Sequence, residues 1–558
     1  MTNYAIADNL NLLAQLLDIH GENSYKAKSY SIAAFAIEKL DVELAEMPQK
    51  QIFSLKNIGE GAGKKILELL ETGQLQELAS IIAKTPPGVL EMLRIKGLGP
   101  KKISFIWKDL NIESLGELLQ ACSENRLSKC KGFGDKTQLK IKEGIEFYLR
   151  SQGKFLFSQI EEYAHHFNQL LKNEFPGYSF IPVGNLPRQL EVIEELEWVT
   201  DANPAALLTY LEQLEHEVVD RSTARSTLRS PDNVTIVFFH AAKDQLVSEA
   251  FRLNCSEDFL NAFTKNYGEP NSYPTDEAIF VQNKLSYIPV YLRENPSILE
   301  KAKADSLPLV ITPADIKGLI HCHSMWSDGA ESIEHMARAC MDRGLEYMVI
   351  SDHSKTASYA GGLTEDRILA QHQQIDELNT KLAPFKIFKS IESDILSDGS
   401  LDYDAAVLNN FDIIITSVHS QLSMTAEKAM PRLLNCIRNP FTSILGHMTG
   451  RLLLSRNGLQ VDHRELIDAC AKHNVVIELN ANPRRLDMDW RWIEYAIGKG
   501  VLISIDPDAH SIPEIDYTRY GILVAQKAGL MAKNNLSSYR LAEFEHFVTL
   551  QQRKRKLS

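Results

Sequence analysis

The spacing of apolar positions divides the chain into stretches with different expected folds. In the C-terminal half, short apolar runs such as "YMVI" follow amphipathic helical segments such as "ESIEHMARACMDRG". This alternation is the rhythm of strand and helix units around a parallel sheet or barrel. We therefore predict an α/β barrel domain over residues 317–558, preceded by a linker over residues 301–316.

A helix–turn–helix pattern with glycine in the turn occurs three times in the N-terminal third. Each copy reads as a helix, a tight turn and a second helix. We predict a helical region over residues 1–80 with the first copy, and a second one over residues 81–150 with the other two. Residues 151–300 include strand-like runs such as "NVTIVFF" and predict an α+β domain. The three copies are "LKNIGEGAGKKILELL" (55–70), "RIKGLGPKKISFIW" (94–107) and "CKGFGDKTQLKIKEGI" (130–145).

The glycine turns suit contact with a phosphate. Glycine permits positive φ and a close approach of the backbone, and the amides that open the second helix can point at an anion. Nearby lysines would add charge, and such a site holds the DNA backbone without reading its sequence. A single turn of this kind is equally a plain connector, but three copies favour DNA binding. The candidate residues are Gly59, Gly61, Lys64, Lys65, Gly97, Gly99, Lys101, Lys102, Gly132, Gly134 and Lys136.

The amino-acid composition is typical of a soluble protein with several domains. The chain has 558 residues, of which 44% are hydrophobic and 24% charged, as in a soluble protein with several cores. No run is long and apolar enough for a membrane span, and the first residues lack the pattern of a secretory leader. The seven cysteines are scattered without a C-x-x-C pair, so neither a disulfide framework nor a thiolate zinc site is indicated. We expect a cytoplasmic monomer without membrane contact.

The net charge of −13 does not predict a protein coated in positive charge. Acidic residues concentrate in helical stretches and in the C-terminal half, whereas lysines bunch at the glycine turns. Local basic patches that bind DNA are therefore compatible with an acidic protein.

Histidines and carboxylates follow the apolar runs of the C-terminal half. The C-terminal strand ends of a (βα) barrel converge on one face, and residues i and i+2 of a strand, as in His321 and His323, point the same way. Imidazole and carboxylate without thiolate suit Mn²⁺, Zn²⁺ or Fe ions, and nine ligands are too many for one ion. We predict two or three divalent metal ions. The candidate ligands are His321, His323, Asp328, His353, Glu392, His419, His447, Asp508 and His510.

Four further residues lie next to these candidates in the sequence. Asp352 and Glu478 are expected to orient a ligand from outside the cluster. The stretch "ELNANPRRLDMD" follows a predicted strand, so Arg484 or Arg485 could hold a substrate phosphate. Plain solvent exposure of these arginines is the alternative.

The motifs of the C-terminal half resemble a known superfamily. "HCHSMWSDG", "SDHS" and "DAHS" are similar to motifs of the polymerase and histidinol phosphatase (PHP) superfamily. The resemblance implies a PHP domain in which the nine residues named above are the metal ligands.

The N-terminal order of motifs resembles another family. "SYKAKSYSIAAFAIEKL" followed by "IGEGAGKKI" and "IKGLGPKKI" is similar to the start of family X DNA polymerases, and the turns resemble helix-hairpin-helix motifs. In that family a small helical domain grips the 5′ side of a DNA gap. In some members one of its lysines forms a Schiff base with an abasic sugar, and Lys65 falls near that position. A phosphate contact or simple solvation is the alternative role of Lys65.

The middle of the chain departs from the polymerase pattern. A family X palm has a Gly-Ser turn followed by a strand with Asp-x-Asp and a later third aspartate. In "VGNLPRQLEVIEELEWV" Gly184 matches, but Asn185 replaces the serine, and Glu195 and Glu197 replace the aspartates. Thr235 stands where the third aspartate is expected. Two Mg²⁺ ions need carboxylates at about 2.0 to 2.1 Å, and a misplacement of about 1 Å costs on the order of a hundredfold. We predict a palm fold without polymerase activity. Alternatively, the two glutamates simply alternate on the polar face of a strand.

The whole chain thus resembles the bacterial family X DNA polymerases with a C-terminal PHP domain. The resemblance implies a multidomain protein: a helical helix-hairpin-helix region, an α+β palm-like domain and a (βα) PHP barrel. The predicted function is metal-dependent phosphodiester hydrolysis, as a 3′–5′ exonuclease or a 3′-end or abasic-site repair enzyme. Its substrate would be DNA that is gapped, nicked or single-stranded at the 3′ end. The alternatives are an active gap-filling polymerase, a non-catalytic DNA-binding scaffold, and a phosphatase of a small metabolite.

Overall fold

The computed structural model describes residues 1–40, 42–123, 127–128, 130, 132–151, 153–422, 424–454 and 457–556. Lys131, in the third predicted turn segment, lies outside the described residues. The chain forms two compact units, Met1–Gln152 and Gly153–Ser558. Each unit has its own hydrophobic core.

The first unit is entirely helical in its described part. In its first helix, Ile6, Leu10, Leu13 and Leu17 recur at the spacing of one helix face, and all four are buried. This helix ends at Gly21, which adopts the left-handed conformation that favours glycine. The helices are α1 (Asn3–His20), α2 (Ser24–Ile37), α3 (Gln49–Ile52), α4 (Glu60–Thr72), α5 (Gln76–Ile82), α6 (Pro87–Met92), α7 (Pro100–Lys108), α8 (Leu115–Ser123) and α9 (Gly134–Ser151).

The second unit begins with a mixed-sheet region, residues 153–303. Its main sheet has the strand order β2-β4-β7-β6-β5, in which β4 and β7 are parallel and the other neighbours are antiparallel. The elements are β1 (Phe155–Leu156), α10 (Phe157–Glu174), β2 (Phe180–Val183), β3 (Val192–Ile193), β4 (Leu196–Thr200), α11 (Pro204–Gln213), β5 (Glu217–Arg221), β6 (Arg225–Arg229), β7 (Thr235–His240), α12 (Leu246–Leu253), α13 (Glu257–Tyr267), α14 (Asp276–Gln282) and α15 (Ser297–Lys303).

The predicted linker is structured in part. Helix α15 extends to Lys303, and the side chain of Ile311 is fully buried. The amide of Ile311 donates a hydrogen bond of 2.8 Å to the carbonyl of Leu530. This stretch is therefore packed against the region that follows it.

The remaining residues, 318–556, form a parallel-sheet region. Its elements are β8 (Gly318–Cys322), α16 (Ile333–Asp342), β9 (Tyr347–Ile350), α17 (Glu365–Lys381), β10 (Lys386–Lys389), β11 (Glu392–Asp394), α18 (Ala405–Leu408), β12 (Ile415–Ser417), α19 (Ala426–Arg438), β13 (Ile444–Leu445), α20 (His463–His473), β14 (Val476–Asn480), α21 (Ile493–Gly498), β15 (Ile503–Asp506), α22 (Thr518–Lys527) and α23 (Leu541–Lys556).

The strands of this region are parallel neighbours in a ring. Two sheets have the orders β10-β9-β8 and β11-β12-β13-β14-β15, and only residues 390–391 separate β10 from β11. On the other side, Cys322 after β8 bridges Ala509 after β15, and the His323 amide donates to the Ala509 carbonyl at 2.8 Å. This pairing is the one expected of a (βα) barrel, and it brings the C-terminal strand ends together.

The predicted fold class is confirmed: a helical N-terminal region precedes regions built from α/β sheets. Within the described ranges, no helix is long and apolar enough to cross a membrane. The described cysteines form no disulfide bond.

Candidate metal centre

The predicted metal ligands all lie at the C-terminal ends of the parallel strands. His321 lies within β8, and His323 and Asp328 follow it. The others follow later strands: His353 after β9, Glu392 three residues after β10, His419 after β12, His447 after β13, and Asp508 and His510 after β15. The ring therefore brings together residues that are up to 189 positions apart, His321 and His510.

The strand that carries the His-x-His pair is irregular. His321 has a φ of 59°, and the pairing of β8 with β9 shifts register between Leu319 and Cys322. The regular strand alternation predicted for the pair is therefore wrong, because a bulge inserts one residue and His323 lies beyond the strand end. Both side chains still face the cluster, with ring centroids 5.3 Å apart. Strained backbone of this kind concentrates at functional sites.

Glu392 is the centre of the cluster. Its carboxylate lies 3.3 Å from Nε2 of His321, 2.9 Å from Nδ1 of His353, 3.2 Å from Nε2 of His419 and 3.0 Å from Nε2 of His447. The side chain is fully buried. Burial raises the pKa of Glu392, but the surrounding imidazoles outweigh it and hold the pKa well below its usual range. Glu392 is therefore an ionised carboxylate in contact with four of the predicted histidine ligands.

Two aspartates complete the cluster on the other side. Asp508 Oδ1 lies 3.1 Å from Nε2 of His323 and 3.4 Å from Nε2 of His321. The carboxylate of Asp328 lies 3.4 Å from Nε2 of His353 and 3.4 Å from Nε2 of His510. All nine predicted ligands are thus brought into one continuous group.

The donor set fits divalent metal ions. Three subsets have ligand atoms within 4.8 Å of one another, in the described part of the chain. Among the described residues, buried atoms without a hydrogen-bond partner include Nδ1 of His323 and Nδ1 of His447. Buried polar atoms are rarely left unpaired, so these atoms favour ions as the missing partners. The subsets are His323, Asp328, His353 and His510; His321, His323 and Asp508; and His353, Glu392 and His419.

The imidazoles of the cluster differ in protonation. Burial lowers the pKa of His353 and of His419, but Glu392 outweighs it and raises these pKa values to about 10 and about 9. Burial and the neighbouring imidazoles lower the pKa of His323 to about 3. Because a metal ion binds only the neutral imidazole, ion binding must displace protons from this cluster.

Carboxylates outside the cluster orient two of the histidines. Glu478 Oε2 accepts a hydrogen bond from Nδ1 of His321 at 2.5 Å, and its Oε1 accepts from the His447 amide at 3.0 Å. Asp394 accepts a hydrogen bond from Nδ1 of His419. The two contacts to Nδ1 turn Nε2 of His321 and of His419 toward Glu392. Glu478 was predicted from the sequence, whereas Asp394 was missed, although its spacing of two from Glu392 on one strand was the available signal.

Asp352 orients a loop rather than a histidine. Its carboxylate accepts from the amide of Ser324 at 2.8 Å, the hydroxyl of Ser327 at 2.5 Å and the side-chain amide of Gln371 at 2.6 Å. These bonds fix the loop that leads to Asp328. Asp352 therefore positions the predicted ligand Asp328 indirectly, through the backbone of this loop.

The two candidate arginines have different surroundings. Arg485 is partly buried, and its Nε lies 3.5 Å from Oδ2 of Asp508. Arg484 is exposed, and no contact of its guanidinium with the cluster occurs among the described residues. Arg485 is thus the arginine that reaches the centre.

The three glycine turns share a left-handed residue at the same position. The first turn residue has positive φ in each copy: Asn57 at 70°, Gly97 at 90° and Gly132 at 94°. The prediction placed the first turn at Gly59 and Gly61, but Asn57 occupies the left-handed position and Gly61 lies within α4. Asparagine also adopts this conformation readily, so glycine positions alone did not locate the first turn.

The second helix of each copy presents its N-terminus next to the turn. Gly59 and Gly99 are the N-caps of α4 and α7, and Gly134 is the first residue of α9. Lys101 and Lys136 lie in the first turns of α7 and α9 with exposed side chains. These two copies offer amides and charge together, as phosphate contact requires.

The lysines of the first copy lie further into α4 and are paired. Lys64 Nζ lies 2.7 Å from Glu60. Lys65 Nζ lies 2.7 Å from Glu68 and 3.4 Å from Glu77. Burial lowers the pKa of Lys65, but the two glutamates outweigh it and raise the pKa. Schiff-base formation needs the neutral amine, so this environment does not favour that role for Lys65.

Known proteins resemble this chain along its whole length. A helix-hairpin-helix domain model matches residues 1–75, and a SAM-like helix-hairpin-helix tandem model matches residues 89–146. The DNA polymerase/3′-5′ exonuclease PolX of Bacillus subtilis is 32% identical over 97% of this chain and 98% of its own length. The chain belongs to the bacterial family X DNA polymerases with a C-terminal PHP domain. From the architecture predicted for this family, we refer to the mixed-sheet region as the palm and to the parallel-sheet region as the PHP domain.

Probable phosphatases match a smaller part of the chain. One from Thermoanaerobacter is 24% identical over 38% of this chain and 85% of its own length. One from Vibrio cholerae is 30% identical over 29% of this chain and 61% of its own length. These matches fall on the C-terminal PHP domain.

The Gly184 turn, which corresponds to the predicted Gly-Ser turn of the palm, is occupied by a side chain. Gly184 has a φ of 78°, and a Cβ built on it would lie 1.7 Å from Oε2 of Glu197. The Asn185 backbone donates a hydrogen bond to the Glu197 carboxylate. Burial, and then the charge of Glu195, raises the pKa of Glu197 to about 7. Glu197 thus fills the turn that would hold a phosphate.

The other two palm positions differ from a metal site as well. Glu195 forms an ion pair with Arg225 at 3.3 Å. Glu197 lies beside Val237 in the parallel pair of β4 and β7, so Thr235, two residues earlier, faces the same side. A threonine hydroxyl brings no negative charge to offset two divalent cations.

Proposed function

We propose that this protein hydrolyses phosphodiester bonds in DNA, as a 3′–5′ exonuclease or as a related 3′-end or abasic-site repair enzyme. The observation that carries the proposal is the convergence of nine histidine and carboxylate side chains with Glu392 at their centre, in which Nδ1 of His323 and Nδ1 of His447 have no hydrogen-bond partner. The similarity to a polymerase/3′-5′ exonuclease over 97% of the chain supports DNA as the substrate.

The proposed centre holds two or three divalent ions, Mn²⁺ or Zn²⁺, with Fe as a further candidate. The chemistry that such ions supply is activation of water near neutral pH and stabilisation of charge on the phosphoryl and leaving oxygens. Glu478 and Asp394 hold the Nδ1 protons of His321 and His419, so that both Nε2 atoms face Glu392. Arg485, at 3.5 Å from Asp508, is the residue proposed to bind the phosphate of the substrate.

The N-terminal unit would hold the DNA backbone while the PHP domain cuts. The turns at Gly97 and Gly132 offer helix N-termini with exposed Lys101 and Lys136. Because such contacts carry no sequence readout, the substrate is defined by its structure. We propose gapped or nicked DNA, or a single-stranded 3′ end.

The palm is proposed to be inactive as a polymerase. Glu197 fills the Gly184 turn, Glu195 is paired with Arg225, and Thr235 lacks charge. A gap-filling polymerase is the second candidate, since the B. subtilis relative is named a DNA polymerase as well as an exonuclease. Hydrolysis of a small phosphate ester is the third, supported by the probable phosphatases.

One experiment separates these candidates. End-labelled gapped and single-stranded DNA is incubated with the protein and Mn²⁺, with and without nucleotides, and a phosphate monoester is tested in parallel. We expect shortening of the 3′ end that requires the metal and does not need nucleotides. Extension of the primer would favour the polymerase, and hydrolysis of the monoester alone would favour the small-molecule phosphatase.

A further inference from the structure

The loop that carries Arg484 and Arg485, residues 482–491, is held from within the PHP domain and from the palm. We call it the arginine loop. On the PHP side, Arg451 Nε donates to the carbonyl of Arg485 at 2.9 Å, and its NH2 group donates to the carbonyl of Leu486. Arg451 also pairs with Asp489 at 2.9 Å. One side chain thus ties three points of the loop.

The palm side of the loop is held by residues 189–191. Leu190 packs against the PHP core that includes Leu486 and Trp490. Glu191 is 8% exposed and accepts from Trp490 Nε1 at 3.1 Å and from Arg491 at 3.0 Å. A buried carboxylate costs free energy unless it is paired, so these bonds fix the relative position of the two segments.

Residues 188–191 are themselves anchored on the PHP domain. Arg188 forms two hydrogen bonds with Glu294, at 2.9 and 2.6 Å. Lys527 donates to the carbonyl of Arg188 at 2.6 Å and to Glu294 at 2.8 Å, and its side chain is fully buried. This segment directly follows the Gly184 turn, where a family X polymerase would bind its nucleotide.

The arginine loop needs such support because of its backbone. Leu486 has a φ of 42°, which a non-glycine residue keeps only when its surroundings over-determine it. It is the residue next to Arg485, whose Nε lies 3.5 Å from Asp508. A shift at Leu486 would therefore move the guanidinium relative to the metal centre.

We propose that Leu190 and Glu191 of the palm are positioning residues for Arg485. The palm then contributes to DNA cleavage by packing against the arginine loop and fixing its position. This would be a function of the palm that does not depend on polymerase activity. This inference rests on the proposed role of the PHP domain in DNA cleavage, because Arg485 is taken to bind the substrate phosphate.

The test compares Glu191→Ala with Glu194→Ala in the full chain. Glu194 is an exposed glutamate of the same segment that pairs with Lys154, so it is the matched control. We expect Glu191→Ala to lower kcat/KM for 3′-end cleavage about tenfold through a displaced Arg485. The bound manganese content should be unchanged in both variants, and Glu194→Ala should cleave as wild type does.

A double-mutant cycle decides whether Glu191 acts through Arg485. In the Arg485→Ala background, Glu191→Ala should cost less than about twofold. Glu191→Gln keeps an oxygen that can accept from Trp490, and should recover part of the rate. An equal loss in both backgrounds would overturn the proposal.

Hydrogen exchange gives a readout that does not depend on activity. Amides of residues 482–491 should exchange faster in Glu191→Ala than in wild type and in Glu194→Ala. Unchanged exchange in this loop would contradict the proposal even if the rate fell. Conversely, a wild type that cleaves no DNA would refute the proposed function, while the exchange measurement would still decide whether the palm holds the loop.

Discussion

The PHP centre and the candidate polymerase site of the palm have different side-chain environments within one compact unit. In the PHP centre, carboxylates and imidazoles converge, and buried imidazole atoms such as Nδ1 of His323 have no hydrogen-bond partner. In the palm, Glu197 is folded into the Gly184 turn and Glu195 is paired with Arg225. The palm keeps its sheet all the same. The sheet of the palm therefore does not by itself imply polymerase activity, and activity must be argued from side chains.

The largest effect should come from removing a ligand of the PHP centre. His321→Ala should lower metal-dependent cleavage roughly a thousandfold, because the ions proposed to stabilise the developing charge lose a ligand. DNA affinity in a band-shift assay should stay near that of wild type, since the glycine turns belong to the other compact unit.

The matched control for this change is His335→Ala, whose imidazole on α16 is 67% exposed. Full cleavage by His321→Ala would disprove the site. A comparable loss of DNA binding would disprove the separation of binding and cleavage.

The contrast between the PHP centre and the palm would be wrong if the palm had polymerase activity. In the His321→Ala background, where no nuclease can erase new product, primer extension on a gapped template should be absent. Restoring aspartate at Glu195 and Glu197 should recover little, because Thr235→Asp is also needed to offset two cations. Clear extension by the protein with an unaltered palm would show that both sites work.

The outer carboxylates of the PHP centre should matter less than the ligands. Asp394→Asn should lower manganese affinity or cleavage about 10- to 100-fold, because the His419 imidazole loses its orienting acceptor. Metal titration by calorimetry gives the affinity. Asp398→Asn, an exposed aspartate beyond the same strand, is the control and should bind manganese as wild type does.

The glycine turns should contribute unequally to DNA binding. Lys101→Ala with Lys102→Ala should weaken binding of all sequences alike and reduce the log-log salt slope by roughly 0.9 for each lost contact. Lys64→Ala with Lys65→Ala should change the slope less, since glutamates already neutralise those lysines. Fluorescence anisotropy at several salt concentrations measures both, and equal slopes would refute the distinction.

The smallest effect concerns the filled palm turn. The folded pKa of Glu197 is raised to about 7, so its protonated form is favoured by folding. Its contribution to stability is full below the ordinary glutamate pKa and is lost as pH rises through 7. Glu197→Gln should therefore gain thermal stability relative to wild type between pH 5 and pH 8, by a few degrees at most. A melting-temperature difference that does not change with pH would contradict the raised pKa.

The sequence by itself determined the order of regions and the residue types of the metal centre. Periodicity encodes strands and helices locally, and each of His353, His419 and His447 could be assigned to a strand end from its own neighbourhood. The altered palm positions could also be recognised from the sequence, because the identity of each residue is known without the structure.

Only the tertiary structure decided which groups meet. The bulge at His321, the central place of Glu392 and the bond from His321 to Glu478, 157 positions away, depend on closure of the strand ring. The same holds for Glu191, whose partners Trp490 and Arg491 lie about three hundred positions along the chain. Contacts between distant segments follow from the packing of the whole chain and leave no local periodic signal, so a sequence pattern could name candidate residues, Glu478 among them, but not the contacts that join them.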